Sequence, residues 1–204
     1  WVIQHAFMAL QPLFKMHASL PPFIVSINLS GMSLGDPQLL AYIQRCFEMY
    51  VVSPQHVCFE VTETSAIINI DHTITLIREL QKMGTRFMLD DFGSGMSSFS
   101  YLKHLPVNFL KMDGAYVKDI TLNKVDLAMA KAIQSVAESM DIQTIAEFVE
   151  DEATLDCLKE MGVAYAQGFY LNRPLPLNEA LARHVGTISQ RRQAEKTVRQ
   201  DLAV

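Results

Sequence analysis

Six short apolar runs recur along the chain, and each closes on a polar residue. They are IVSIN ending at Asn28, VCFE at Glu60, RFMLDD at Asp90 and Asp91, NFLK at Lys111, QTIAE at Glu147 and GVAYAQ at Gln167. Between them, apolar residues repeat at the three-to-four spacing of amphipathic helices, as in Leu127, Ala130, Ile133, Val136, Ala137 and Met140. The pattern predicts helix 1–19, strand 23–29, helix 36–50, strand 56–62, helix 71–83, strand 86–90, short helix 97–103 and strand 107–112. Helix 123–140, strand 142–146, helix 151–161, strand 163–167 and helix 178–186 follow. Pro21-Pro22 stops the first helix. Asp36 is expected to cap the second, with Pro37 at its first position. Gly84 is expected to close the third. From about residue 189 the sequence is polar nearly all round and reads as a helical tail or linker, leaving 1–188 as one domain.

Strands alternating with helices predict a parallel α/β sheet. In a parallel barrel the C-terminal strand ends share one rim, and chemistry is done there. A carbonyl-bearing amide, several carboxylates and a lysine at successive strand ends therefore form one acidic pocket, which points to metal-assisted chemistry. A closed barrel of this type needs eight strands. The two not seen are expected before residue 1. The opening WVIQHAFMAL starts within a helical pattern without an initiator Met and reads as the start of a fragment.

The chain has 204 residues, half of them hydrophobic, with a formal net charge of −5. That balance argues against duplex nucleic acid as a partner, although divalent cations can bring a phosphodiester to an acidic site. The three cysteines, Cys46, Cys58 and Cys157, lack CxxC spacing and read as buried thiols of a reducing compartment. The six histidines form no zinc-like pair. No membrane span or signal peptide is evident, so a cytoplasmic location is expected, with a membrane anchor elsewhere in a parent protein left open.

Asp90-Asp91 is the sharpest local signal. Adjacent strand residues normally face opposite sides, but at a strand end opening into FGSG both carboxylates can turn to one site. Their mutual repulsion favours a bound cation, and Asn28, Glu60 and Asp90 supply the oxygens that Mg²⁺ prefers. Alone, D-D-F-G-S-G also suits a tight turn. Glu60, flanked by Phe59 and Val61, is costly to bury unpaired and could instead pair with a lysine of a neighbouring strand. Asn28 could be a strand-to-loop hydrogen-bonder. Lys111 could pair with Asp113 or Glu147, or orient a water and stabilise developing negative charge. Glu147 could be a metal ligand, a general base, or both. Glu63 and Glu150, each three residues after a strand-end glutamate, read as loop anchors.

These motifs resemble the EAL domain, a phosphodiesterase family that linearises the bacterial second messenger cyclic di-GMP (c-di-GMP). The matching pieces run in the family's order from V-S-I-N-L-S at 25–30, through E-V-T-E at 60–63, D-D-F-G-S-G at 90–95, S-Y-L-K-H-L-P at 100–106 and K-M-D at 111–113, to A-E-F-V-E at 146–150, Q-G-F at 167–169 and R-P-L at 173–175. The resemblance implies a TIM-like barrel of the EAL type with one antiparallel strand near its start. It implies two Mg²⁺ or Mn²⁺ ions per site. Asn28, Glu60 and Asp90 would hold the first, and Asp90 would bridge to a second held also by Asp91. Glu147 resembles the catalytic glutamate, Lys111 the lysine that holds the attacking water, and Gln167 a glutamine near the second metal. Glu63 and Glu150 match residues that position the loop after Asp90-Asp91, Asp113 closes the K-M-D motif, and Gly93 lies in the substrate-facing loop. A homodimer and additional sensory or GGDEF domains in the parent protein are implied as well.

Two departures stand out. The name-giving E-A-L strand, with a further metal glutamate and a phosphate-binding arginine, is not in this sequence. Phe148 follows Glu147 where the family prefers glycine. A bulky side chain there is expected to crowd the guanine pocket or reshape the loop, so that Phe148→Gly would raise activity. Smaller changes are Ser94, Met96 and Asn108. A degenerate c-di-GMP sensor that binds without cutting, and an unrelated Mg²⁺-dependent barrel enzyme, are the rival readings.

Overall fold

The computed structural model describes residues 1–16, 23–93 and 99–183. Its centre is a six-stranded sheet in sequence order, from β1 (Val25–Asn28) and β2 (Val57–Thr62) through β3 (Arg86–Phe92) and β4 (Phe109–Met112) to β5 (Gln143–Ala146) and β6 (Tyr165–Ala166). All five pairings are parallel. The sheet curls as part of a barrel, and the antiparallel strand implied by the resemblance is not among these six. The longer helices are α1 (Val2–Met16), α3 (Leu39–Met49), α5 (Ile70–Lys82), α7 (Lys124–Glu138) and α8 (Glu152–Glu160). A further helical stretch covers 177–183. The polar tail from 189 lies outside the described residues.

The strands are two-faced because alternate residues point to opposite sides. Ile27, Phe59, Val61, Phe87, Leu89, Leu110, Met112 and Ala146 face the helices and join Ile43, Ile77, Leu80, Ile133 and Ala137 in one buried core. The intervening residues line the concave face. There Cys58, Met88 and Phe109 form a separate small cluster with Ile145. A concavity of about 910 Å³ opens over this face, bordered by Ser26, Glu60, Arg86, Tyr165 and Gln167 among others.

Three one- or two-turn helices sit where loops were expected. They are α2 (Gly31–Leu34), α4 (Glu63–Ile68) and α6 (Gly114–Val117), each just after a strand end. Ser30, Thr62 and Asp113 cap them by accepting backbone N–H bonds from Ser33, Ser65 and Ala115. Such helices are too short for hydrophobic periodicity to show. The helix expected from 36 begins at Leu39 instead. Asp36 spends its side chain on the N–H of Gln38, two residues on, which makes residues 36–38 a turn.

Candidate active site at the strand rim

The C-terminal ends of β1 to β5 put the expected residues on one rim. Asn28 is in register with Glu60 across β1 and β2. Asp90 and Asp91 lie just before the end of β3, Lys111 lies in β4, and Glu147 follows β5 directly. Pairing between β3 and β4 shifts between Leu89 and Phe92, and Asp91 takes a left-handed φ of 54°. The extra residue lets Leu89 and Phe92 both face the helices although three positions separate them. It also turns both aspartates to the concave side. Carboxylate oxygens of Asp90, Asp91 and Glu147 lie within 4.8 Å of one another.

Lys111 ties this group together. Its Nζ donates to Glu60 Oε1 at 2.6 Å, lies 2.7 Å from Glu147 Oε1 and 3.3 Å from Asp90 Oδ1. The lysine thus pairs with Glu60 and Glu147 rather than with Asp113, which caps α6. Burial alone would favour the neutral amine. The bonds to Glu147 and Glu60 outweigh it and hold the ammonium above the ordinary lysine range. Burial also raises the Glu60 carboxyl, against the pull of Lys111 and with a further push from Asp90. Glu147 is raised by burial, opposed by Lys111 and reinforced by Asp90 and Asp91. Asp91 is raised by burial, then by Asp90 and Asp113.

The donor set suits hard divalent cations, which take carboxylate and amide oxygens. Three carboxylates, Glu60, Asp90 and Glu147, surround one ammonium, and Asp91 joins the last two. Asp90 Oδ1 is buried and within ion-pair range of Lys111 but has no hydrogen bond. A buried carboxylate oxygen without a hydrogen bond carries a desolvation penalty, and a coordinated cation would remove it. The residues present therefore fit a hard divalent cation.

Phe92 and Gly93, the two residues after Asp91, are held from three sides. Buried Glu63, the first residue of α4, accepts from Gly93 N at 3.0 Å and from the Tyr101 hydroxyl. Tyr116 of α6 donates to the Gly93 carbonyl at 2.6 Å. Asp113 N donates to Phe92 O at 3.3 Å. Gly93 itself has φ 96°, open to glycine and strained for other residues. Tyr101 and Tyr116 carry no strand-end signature. Tyr101 lies within S-Y-L-K-H-L-P, whereas Tyr116 lies three residues beyond K-M-D and in no matched piece.

The remaining residues are placed less centrally. Asn28 is exposed and opens onto a cleft with Ser30, Ser33 and Arg45. Glu150 is exposed. Gln167 follows β6, with its backbone bonded to Ala146 and Val149 and its side chain on the concavity. Phe148, at φ 53°, stands on the rim beside Glu147 and is 56% exposed.

With this geometry in place, the similarities to known proteins take a specific form. The family model for the EAL domain matches residues 1–174. The chain is 46% identical over 153 residues to the cyclic di-GMP phosphodiesterase PdeB of Shewanella oneidensis, covering 75% of this chain and 18% of that protein. It thus spans about a fifth of the length of the curated relatives it matches. The crystal structure of the EAL domain of Mycobacterium smegmatis DcpA superposes with a TM-score of 0.84 at 28% identity, covering 91% of this chain and 83% of that one. The PaMucR phosphodiesterase in complex with c-di-GMP superposes with a TM-score of 0.81 at 29% identity, covering 88% and 72%.

Proposed function

The chain belongs to the EAL domain family, and from that membership we propose that its rim hydrolyses one phosphodiester of c-di-GMP to linear pGpG. The observation that carries this reading is the convergence of Asp90, Asp91 and Glu147 around a lysine bonded to both Glu60 and Glu147. Asn28, Glu60 and Asp90 would hold one Mg²⁺ or Mn²⁺, and Asp90 with Asp91 a second, with Gln167 nearby. Such ions, when bound, act as Lewis acids on phosphoryl oxygens and make water a stronger nucleophile.

The chain's own residues supply position and proton transfer. Lys111, fixed between Glu60 and Glu147, orients the attacking water and stabilises negative charge as it develops on the phosphoryl group. Glu147, raised by burial toward the working range of a general base, takes the proton from that water. The water oxygen bonds to phosphorus, the bond to the ribose 3′ oxygen breaks, that oxygen takes a proton from bulk water, and Glu147 then gives its proton back to solvent. Glu63, itself bonded by Tyr101, and Tyr116 keep Gly93 in place during the step. Cyclic di-GMP, a homodimer and neighbouring sensory or GGDEF domains complete the proposal.

The test is pGpG release from c-di-GMP by the full-length protein, followed chromatographically. Turnover is expected with Mg²⁺ or Mn²⁺ and not in excess chelator. Glu147→Gln should lower kcat by at least about 100-fold while c-di-GMP binding stays within about tenfold. Undiminished turnover in chelator would sink the metal assignment. Binding without cleavage at any metal concentration would make the rim a receptor instead.

A further inference from the structure

Phe148 and Gly114 fit each other in a way that the sequence pattern does not show. Phe148 holds a left-handed backbone, uncommon for a bulky residue and strained unless its surroundings fix it. What fixes it lies across the rim. A Cβ built on Gly114 would stand 2.2 Å from Phe148 Cδ2, 2.8 Å from Cε2 and 2.9 Å from Cγ. The ring therefore occupies the space that any side chain at 114 would need. The contact involves the root of the ring as well as its edge, so a small rotation of the ring tip does not relieve it.

The two segments locked in this way carry the central ion pair. Gly114 opens α6, three residues after Lys111, and Phe148 is the residue after Glu147. Lys111 and Glu147 meet at 2.7 Å. On the far side, Val149 N donates to Gln167 O, and Tyr170 N donates to Val149 O, so the loop beyond Phe148 is tied to the segment after β6. Between Glu147 and those bonds, the ring packs on Gly114 and so joins the loop to α6.

We propose that Phe148 and Gly114 form a matched lock that sets Glu147 against Lys111, with Phe148 acting as a positioning residue. Its catalytic consequence rests on the phosphodiesterase reading; the lock itself does not. The lock makes Phe148→Gly harmful, because glycine would relax the backbone but release the loop.

The experiment is a double-mutant cycle in the full-length protein with Phe148→Gly, Gly114→Ala and the pair, plus Phe148→Tyr. Three quantities are read: kcat and KM on c-di-GMP, Mn²⁺ affinity by titration, and the melting temperature in chelator. Gly114→Ala alone should lower kcat about 100-fold with KM nearly unchanged, and weaken Mn²⁺ about tenfold through a displaced Glu147. In the Phe148→Gly background the same alanine should have no further effect, since no ring remains to displace. Phe148→Gly alone should lower kcat about tenfold. Phe148→Tyr, which keeps the ring, should stay close to the unaltered protein. If Gly114→Ala does not fold, its recovery by Phe148→Gly supports the lock, and continued misfolding in the pair opposes it. Additive effects in all three readouts, or a harmless Gly114→Ala, would overturn the proposal. If the unaltered protein leaves c-di-GMP uncut, the functional reading fails while the melting cycle still judges the lock.

Discussion

Lys111 is 6% exposed and faces three carboxylates. Removing one partner from a buried ionic group leaves uncompensated charge, which costs more than the pair itself contributes. Lys111→Met is therefore expected to lower the unfolding free energy in chelator by about 3–5 kcal/mol. Urea denaturation at neutral pH measures it. A second Mn²⁺-containing series should show a smaller loss, because a cation can take over part of the ammonium's role. A loss of less than about 1 kcal/mol in chelator, the range of exposed pairs, would mean that the carboxylates are better solvated than the packing indicates. The thiols make an independent check on burial at the same scale. Cys46 and Cys58 are buried, and Cys157 is half-buried on α8. Brief alkylation of the folded protein, read by mass spectrometry, should label Cys157 first of these three. Labelling of Cys58 ahead of Cys157 would show that the concave face opens readily.

Between elements, one side chain joins three pieces of structure. Gln134 on α7 accepts from Thr144 Oγ1 of β5 and donates to Gly162 O, at the turn after α8, at 3.0 Å, and to Glu138 at 2.8 Å. Gln134→Leu strands the buried Thr144 hydroxyl and removes the bond to the Gly162 carbonyl. A loss of about 1–3 kcal/mol in stability is expected, with kcat per folded molecule unchanged because the contact is remote from the rim. An unchanged melting curve would show that water replaces the amide at no cost. Gln134 also illustrates what the sequence conceals. Strand and helix order was readable because apolar periodicity is a property of neighbours along the chain. A glutamine on a helix face reads as solvent-exposed, and its partners lie 10 and 28 residues away. The short helices α2, α4 and α6 were hidden for the opposite reason, since each is defined by a capping residue and a single turn or two. At the rim, Glu60, Asp90, Lys111 and Glu147 could be expected to meet because parallel strands end together. The bond from Tyr101 to Glu63 and that from Tyr116 to Gly93 could not, since they join residues 38 and 23 positions apart.

For the whole molecule, the concave side of the sheet sets the behaviour to expect in isolation. Among the described residues, β1 and β6 each have one paired edge, and unpaired strand edges invite further strands. Met88, Phe109, Ile145 and Tyr165 line the open face beside them. Residues 1–204 prepared alone should bind a hydrophobic dye and self-associate at micromolar concentration. A dye-silent monomer would show that this face is closed in some other way. No helix among the described residues is long and apolar enough to cross a membrane.

The alternation of faces along each strand has a consequence for how this molecule can change over generations. Phe59 and Val61 keep the helices in place, whereas Cys58 and Glu60, interleaved with them, do not touch that core. The same holds for Leu110 beside Lys111 and for Leu89 beside Asp90. Substitutions that erase the carboxylates therefore leave the helix-facing positions unaltered, and a lineage can lose the reaction while inheriting an intact architecture. Silent descendants of such a domain are free to persist as receptors or scaffolds. Whether a given copy still cuts its ligand has to be read from the concave side of the strands, where Glu60, Asp90 and Asp91 stand, since the helix-facing side looks the same in both.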